Sequence, residues 1–169
     1  MTSKLKVNLI NDSGDNNLIT SDGSGVITSS KFKIGQVVQG TTTTEITSTT
    51  SSFADTGLSA SITPSSTSSK ILVSVCQNGC RSQSNDNNNS INIKLLRDST
   101  EISYFYKYAL YMGAGNDLYG TTLSVNFLDS PSTTSSITYK TTYSNYGSGN
   151  IRLQDTSAES TITLMEVLP

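Results

Sequence analysis

The stretch Lys70-Ile71-Leu72-Val73-Ser74-Val75 sets Ile71, Val73 and Val75 on one side of an extended chain. Leu58-Ser59-Ala60-Ser61-Ile62 and Thr161-Ile162-Thr163-Leu164-Met165-Glu166-Val167 follow the same pattern, with small polar residues between the apolar ones. Such alternation belongs to β-strands that bury one face. Ser and Thr make up about a third of the 169 residues, far above ordinary usage. Their hydroxyls suit exposed strand faces and turns, and the β-branched Thr fits a pleated strand.

Working outward, the same parity recurs. Strands are predicted over 70–76, 91–97, 102–109, 121–128, 136–144, 150–154 and 160–168, and one around Leu58-Ala60-Ile62 that ends at Pro64. The inward rows are Ile71, Val73 and Val75; Ile91, Ile93 and Leu95; Leu123, Val125 and Phe127; and Ile137, Tyr139 and Tyr143. The last strand has Ile162, Leu164 and Leu168 on one side and Met165 and Val167 on the other, which predicts cover on both faces. The hydroxyl tract from Thr41 to Ser52 reads as an exposed edge strand or extended connector. No window of eleven or more residues carries helical periodicity. The fold class is therefore all-β: an antiparallel β-sandwich, jelly-roll-like, over 36–169. Residues 1–35 differ. Their short apolar pairs and glycine-rich turns predict a β-rich N-terminal arm that needs a partner to bury its apolar groups.

Composition narrows the function. The net charge is −2, and the eleven Lys and Arg are spread without a cluster, so no basic stripe offers itself to nucleic acid. No run of about 18 apolar residues predicts a membrane span. The first residues lack the apolar core of a secretory signal. Cys76 and Cys80 on one strand would lie roughly 13 Å apart, too far for a disulfide. A tight turn at Asn78-Gly79 would instead bring them together. Free thiols are the expectation for a cytoplasmically made chain.

Catalytic groups are sparse. Histidine is absent, which removes the commonest general base and the usual partner of a Ser or Cys nucleophile. No nucleophile elbow, phosphate loop or dinucleotide fingerprint occurs. A carboxylate pair, as in glycoside hydrolases, is the remaining enzymatic option. Yet Asp12, Asp15, Asp22, Asp55, Asp98, Asp129 and Asp155 all lie in turn contexts, where a side chain caps its own turn. Glu166 alternates into the last strand and is expected to face solvent or pair with a cation. Neither Asp12 to Asn17 nor Asp22 to Gly25 matches a calcium loop. No catalytic residue, cofactor or metal is expected.

Aromatic residues gather in 104–119. Strict alternation places Tyr104, Tyr106 and Tyr108 on one face, with Phe105, Lys107 and Ala109 opposite. Such rings line a core or subunit interface, or stack on sugars, since each has an apolar face and a polar tip. Tyr111 to Tyr119 reads as an insertion between strands, where binding residues concentrate. The candidate receptor or interface contacts are Tyr106, Tyr108, Tyr111, Asn116, Asp117 and Tyr119.

Six pieces occur in order: Gln36-Val37-Val38-Gln39; Phe53-x-Asp55-Thr56-Gly57-Leu58; Ile62-Thr63-Pro64-Ser65 running on to Val73; Leu96-Arg97-Asp98; Leu128-Asp129-Ser130-Pro131; and Thr161 to Glu166. Together they resemble a module of bacteriophage tail-fibre and appendage proteins, particularly of phages that infect aquatic bacteria. The likeness covers about residues 36–169. Lys4-Leu5-Lys6-Val7 with Asp22-Gly23-Ser24-Gly25 is similar to the short leader that precedes such modules. The resemblance implies a virion protein, made in the host cytoplasm, that forms fibres, spikes or decorations, commonly as homotrimers and without catalytic residues. The chain is short for a tail fibre, so tail fibre, baseplate appendage and capsid decoration all stay open. The implied partners are copies of itself, other phage structural proteins through residues 1–35, and a host surface glycan. A carbohydrate-binding module is the alternative. No nucleic acid or membrane insertion is implied.

Overall fold

The computed structural model describes residues 9–15, 17–21, 24, 27–28, 33–83, 89–112 and 119–169, with backbone alone at Ser21, Ile27, Thr28, Gln83, Met112 and Tyr119. The strands are β1 (Leu9–Asn11), β2 (Asn17–Ser21), β3 (Ile27–Thr28), β4 (Ile34–Thr42), β5 (Ile46–Ser48), β6 (Ala54–Ile62), β7 (Lys70–Gln83), β8 (Asn89–Arg97), β9 (Thr100–Met112), β10 (Tyr119–Asp129), β11 (Ile137–Asn145), β12 (Asn150–Leu153) and β13 (Ser160–Val167). A 3-10 turn at Asp155–Ser157 precedes β13. Strands β1, β2 and β3 form a small sheet of their own, in the segment where short strands are expected. The Leu5 and Val7 alternation lies outside the described residues.

The remaining ten strands make two antiparallel sheets. One has the order β4-β13-β7-β12-β5, with β10 along the other edge of β7. The other has the order β6-β11-β8-β9. This is the expected antiparallel sandwich. The hydroxyl tract supplies the end of β4 and the short edge strand β5, in line with the edge-strand reading.

Parity placed the core correctly on most strands. Leu58, Ile62, Ile71, Val73, Leu95, Tyr139, Ile162 and Leu164 belong to one buried cluster. Cys80, Ile91, Ile93, Leu123, Tyr143, Ile151 and Leu153 belong to a second. Each fully buried aliphatic side chain contributes about 1.5–3 kcal/mol. Buried hydroxyls and an amide link the sheets elsewhere in the interior: Thr141 Oγ1 meets Thr56 and donates to Gln77 Oε1 at 3.1 Å, and Gln77 Nε2 donates to Ser160 Oγ at 3.2 Å. Buried groups of this kind are tolerable because each finds a partner.

The long strand β7 is continuous through both cysteines. Asn78-Gly79 forms a bulge in it rather than a hairpin turn, and the pairing with β10 shifts there. Gly79 has φ +60°, and a Cβ at this position would overlap the Asp155 amide. The bulge lets β7 pair with β13 over its first half and with β12 over its last residues. Both thiols are free, as expected. Burial pushes the Cys80 thiol up to about 12.

Two sequence readings are corrected here. The final strand is fully covered on one face only: Ser160, Ile162, Leu164 and Glu166 point inward and are buried, while Met165 and Val167 are half-buried on the outer side. Most of the turn aspartates also do more than cap their own turns. Asp12 Oδ1 accepts from the Gly14 amide as expected. Asp55 instead pairs with Lys140, Asp129 with Arg97, and Asp155 with both Arg81 and Arg152. Asp98 Oδ1 accepts from the Thr138 amide across the sheet.

Candidate functional site

Strand β9 departs from simple alternation, and the departure builds the site. Its pairing with β8 runs Leu95↔Ser103, Ile93↔Tyr106, Ile91↔Ala109 and Asn89↔Met112. Every two residues of β8 thus face three of β9, which is a series of bulges. Tyr108 (φ 58°) and Leu110 (φ 55°) take left-handed backbone conformations that absorb the extra length. Non-glycine residues there cost of order 1–3 kcal/mol each and cluster at functional positions.

The bulges convert alternation into doublets. Phe105, Tyr106, Ala109 and Leu110 pack inward against the second cluster. Tyr104, Lys107, Tyr108 and Tyr111 are left exposed. This corrects the expected division: Tyr106 goes to the core and Lys107 joins the tyrosines outside. Tyr108 is held in place from below. Its amide donates to Asn92 Oδ1 at 3.0 Å, and Asn92 Nδ2 donates to Ser144 Oγ at 3.2 Å.

Two further rings complete an outer ledge. Phe53, just before β6, meets Tyr104 edge to face with centroids 5.8 Å apart. Tyr146, just after β11, meets Tyr108 in the same way at 4.6 Å. Lys94 Nζ lies 3.9 Å from the Phe53 centroid and 4.9 Å from that of Tyr104, and is also paired with Glu101 at 2.7 Å. Lys107 bridges the two ring pairs, 5.9 Å from the Tyr104 ring and 5.6 Å from that of Tyr108. Cation–ring contacts of this type are worth roughly 0.5–1 kcal/mol at exposed sites. Burial pushes the Tyr104 phenol above its usual range, with Lys94 pulling it back. On the outer faces of β8 and β11, the hydroxyls of Ser90 and Thr142 are buried with no hydrogen-bond partner among the described residues.

Of the sequence candidates, Tyr108 and Tyr111 are exposed on β9, and Tyr106 is not on the ledge. Tyr119 begins β10, paired with Ser82, and nothing is described of its side chain. Asn116 and Asp117 lie outside the described residues. Sequence reading missed Phe53 and Tyr146 as ledge members, because only the fold brings positions so far apart in the chain beside Tyr104 and Tyr108.

The ledge can stack on flat or ring-shaped ligands and hydrogen-bond through phenol tips. It holds no nucleophile–base pair. The buried carboxylates are committed elsewhere. Asp129 takes two bonds from Arg97, at 2.8 and 3.1 Å, and one from the Tyr139 hydroxyl at 2.7 Å. Burial first, and then that bond to Asp129, push the Tyr139 phenol far above its usual range. Asp155 sits beside an open trough lined by Gly79, Arg81 and Thr122. The hydrogen bond from Arg81, and then that from Arg152, hold its carboxyl below the usual range. Glu166 is buried, and among the described residues no cation pairs with it. It accepts from Gln36 Nε2 at 2.8 Å and from the Ser65 amide and hydroxyl, each at 2.7 Å. Burial pushes this carboxyl up, but the bonds from Gln36 and Ser65 outweigh it and bring it to about 2. Among the described residues, no group of three or more Cys, Asp or Glu is placed to hold a metal ion.

No protein-family model matches the chain, and no curated protein matches it. Among solved structures, it is similar to the VP2 subviral particle of infectious bursal disease virus, with TM-score 0.48 and 9% identity over 85% of this chain and 36% of that one. It is also similar to the Gx strain structure of that virus, with TM-score 0.44 and 10% identity over 85% and 35%. A mutant VP2 protein of the same virus in derived T=1 particles gives TM-score 0.45 and 10% identity over 85% and 38%. The chain spans little more than a third of the length of these proteins.

Proposed function

We propose that this chain is a virion structural protein, a bacteriophage tail-fibre or appendage component. It assembles as a homo-oligomer, commonly of three copies, and displays its sandwich for contact with a host surface glycan. Residues 1–35 join it to other proteins of the particle. The observation that carries the contact role is the ledge of Phe53, Tyr104, Tyr108 and Tyr146 with Lys107 between the ring pairs. A chain that spends backbone strain to hold rings in water is equipped to bind something.

The resemblance gains physical sense from the fold. Its separate pieces meet at polar nodes: Gln36, Ser65 and Glu166 at one, Arg97 and Asp129 at another. These residues hold the sandwich together, which fits a module without catalytic groups. The ledge also favours the carbohydrate-binding reading, and both readings are compatible in one protein. The test is an array of bacterial surface polysaccharides probed with the full chain and with a Tyr108→Ala, Tyr146→Ala variant. Binding by the parent, lost in the variant, supports the proposal. Equal binding by both, or none by the parent, contradicts it.

A further inference from the structure

Among the described residues, the exposed large hydrophobic side chains fall into three groups. Phe53, Tyr104, Tyr108, Tyr111 and Tyr146 belong to the ledge or its continuation along β9, and Leu9, Ile10 and Ile19 to the small N-terminal sheet. The rest are Ile34, Val37 and Leu128. The last three lie together, because cross-strand register aligns them. Val37 pairs with Met165, Met165 with Leu72, and Leu72 with Leu128. This forms one apolar row across four adjacent strands, β4, β13, β7 and β10. The row points outward, since Ile71, Val73 and Leu164 beside it point into the core. Val37 is 56% exposed and Leu128 51%. Ile34, paired with Val167, extends the apolar surface along β4 and β13.

We infer that this face is where a second copy of the chain docks. It deepens the homo-oligomer part of the function proposed above and does not depend on the glycan ledge. Two features favour a copy of the same chain over an unrelated partner. First, the face is nearly uncharged. The row next to the apolar one is Gln39, Thr163, Ser74 and Asn126, and over Lys70–Cys76 and the residues paired with that stretch Lys70 is the one outward charge. A charged partner would find almost nothing to pair with, whereas an identical face matches. Second, four strands about 4.8 Å apart and about eight residues long give the face on the order of 500 Å². Two copies meeting here bury about 1,000 Å², the lower bound for a specific association.

The test is light scattering on the full chain at micromolar concentration. The parent is expected at twice the 18.0 kDa chain mass, since a face that docks on its own copy closes at two. A Val37→Glu, Leu128→Glu variant is expected at the single-chain mass with an unchanged far-ultraviolet spectrum. The milder Val37→Thr, Leu128→Gln variant is the check against misfolding and should shift the mass the same way at lower concentration. A parent of single-chain mass overturns both this inference and the homo-oligomer reading. An oligomeric parent whose folded variants keep its mass overturns this face alone. Tyr108→Ala should leave the mass unchanged.

Discussion

Glu166 shows how far one residue can be read from sequence. Alternation correctly put it on the last strand, but its inward direction and its partners came only with the fold. Gln36 is 130 positions away, so no local spacing could reveal it. Its carboxyl falls from 4.5 to about 2 on folding. A lowered carboxylate stabilises the folded state fully above about pH 4.5, and that stability drains away as pH falls towards 2. The shift corresponds to about 3 kcal/mol. Glu166→Gln should therefore cost about 2–4 kcal/mol at neutral pH, because an amide N–H₂ would face the Gln36 and Ser65 donors. Urea unfolding followed from pH 7 to pH 2.5 should show a flatter acid slope in the variant, and an unchanged slope would contradict the assignment. Cys80 gives a second residue-scale expectation. With its thiol at about 12, it should resist alkylation at pH 8 in the folded protein and react once the chain is unfolded.

At the scale of the element, most strands were legible because one face is buried and the period is two. The rows through Ile71, Ile91, Leu123 and Tyr139 all point into the interior. Strand β9 was not legible, because bulges change the count without marking the sequence. No glycine occurs at Tyr108 or Leu110 to signal the left-handed backbone. Reading Tyr104, Tyr106 and Tyr108 as one face followed the rule that β9 breaks. The account expects Asn92 to support the bulge. Asn92→Ala would leave the Tyr108 amide without its acceptor and should cost about 1–3 kcal/mol. Amide hydrogen exchange should quicken along β9 and stay unchanged along β13. Equal protection of β9 in parent and variant would show that Asn92 is not needed there.

For the whole molecule, the sandwich was accessible from composition and parity, while the surfaces were not. The aromatic ledge joins Phe53, β9 and Tyr146, and the outer apolar row joins four strands. Both depend on register, which sequence alone does not fix when turns and bulges intervene. The core should behave as ordinary packed interior. Ile71→Ala removes a fully buried side chain from the larger cluster and should cost about 2–5 kcal/mol in chemical denaturation. A loss below 1 kcal/mol would mean that the two sheets pack loosely there.

In the proposed function, a strained edge strand holds aromatic rings outward to bind a saccharide. Isothermal titration of the strongest saccharide from the array into the parent and into Tyr108→Ala tests it most directly. Binding by the variant should be at least tenfold weaker, with the fold and oligomer mass intact. Equal affinity in the two proteins would contradict it.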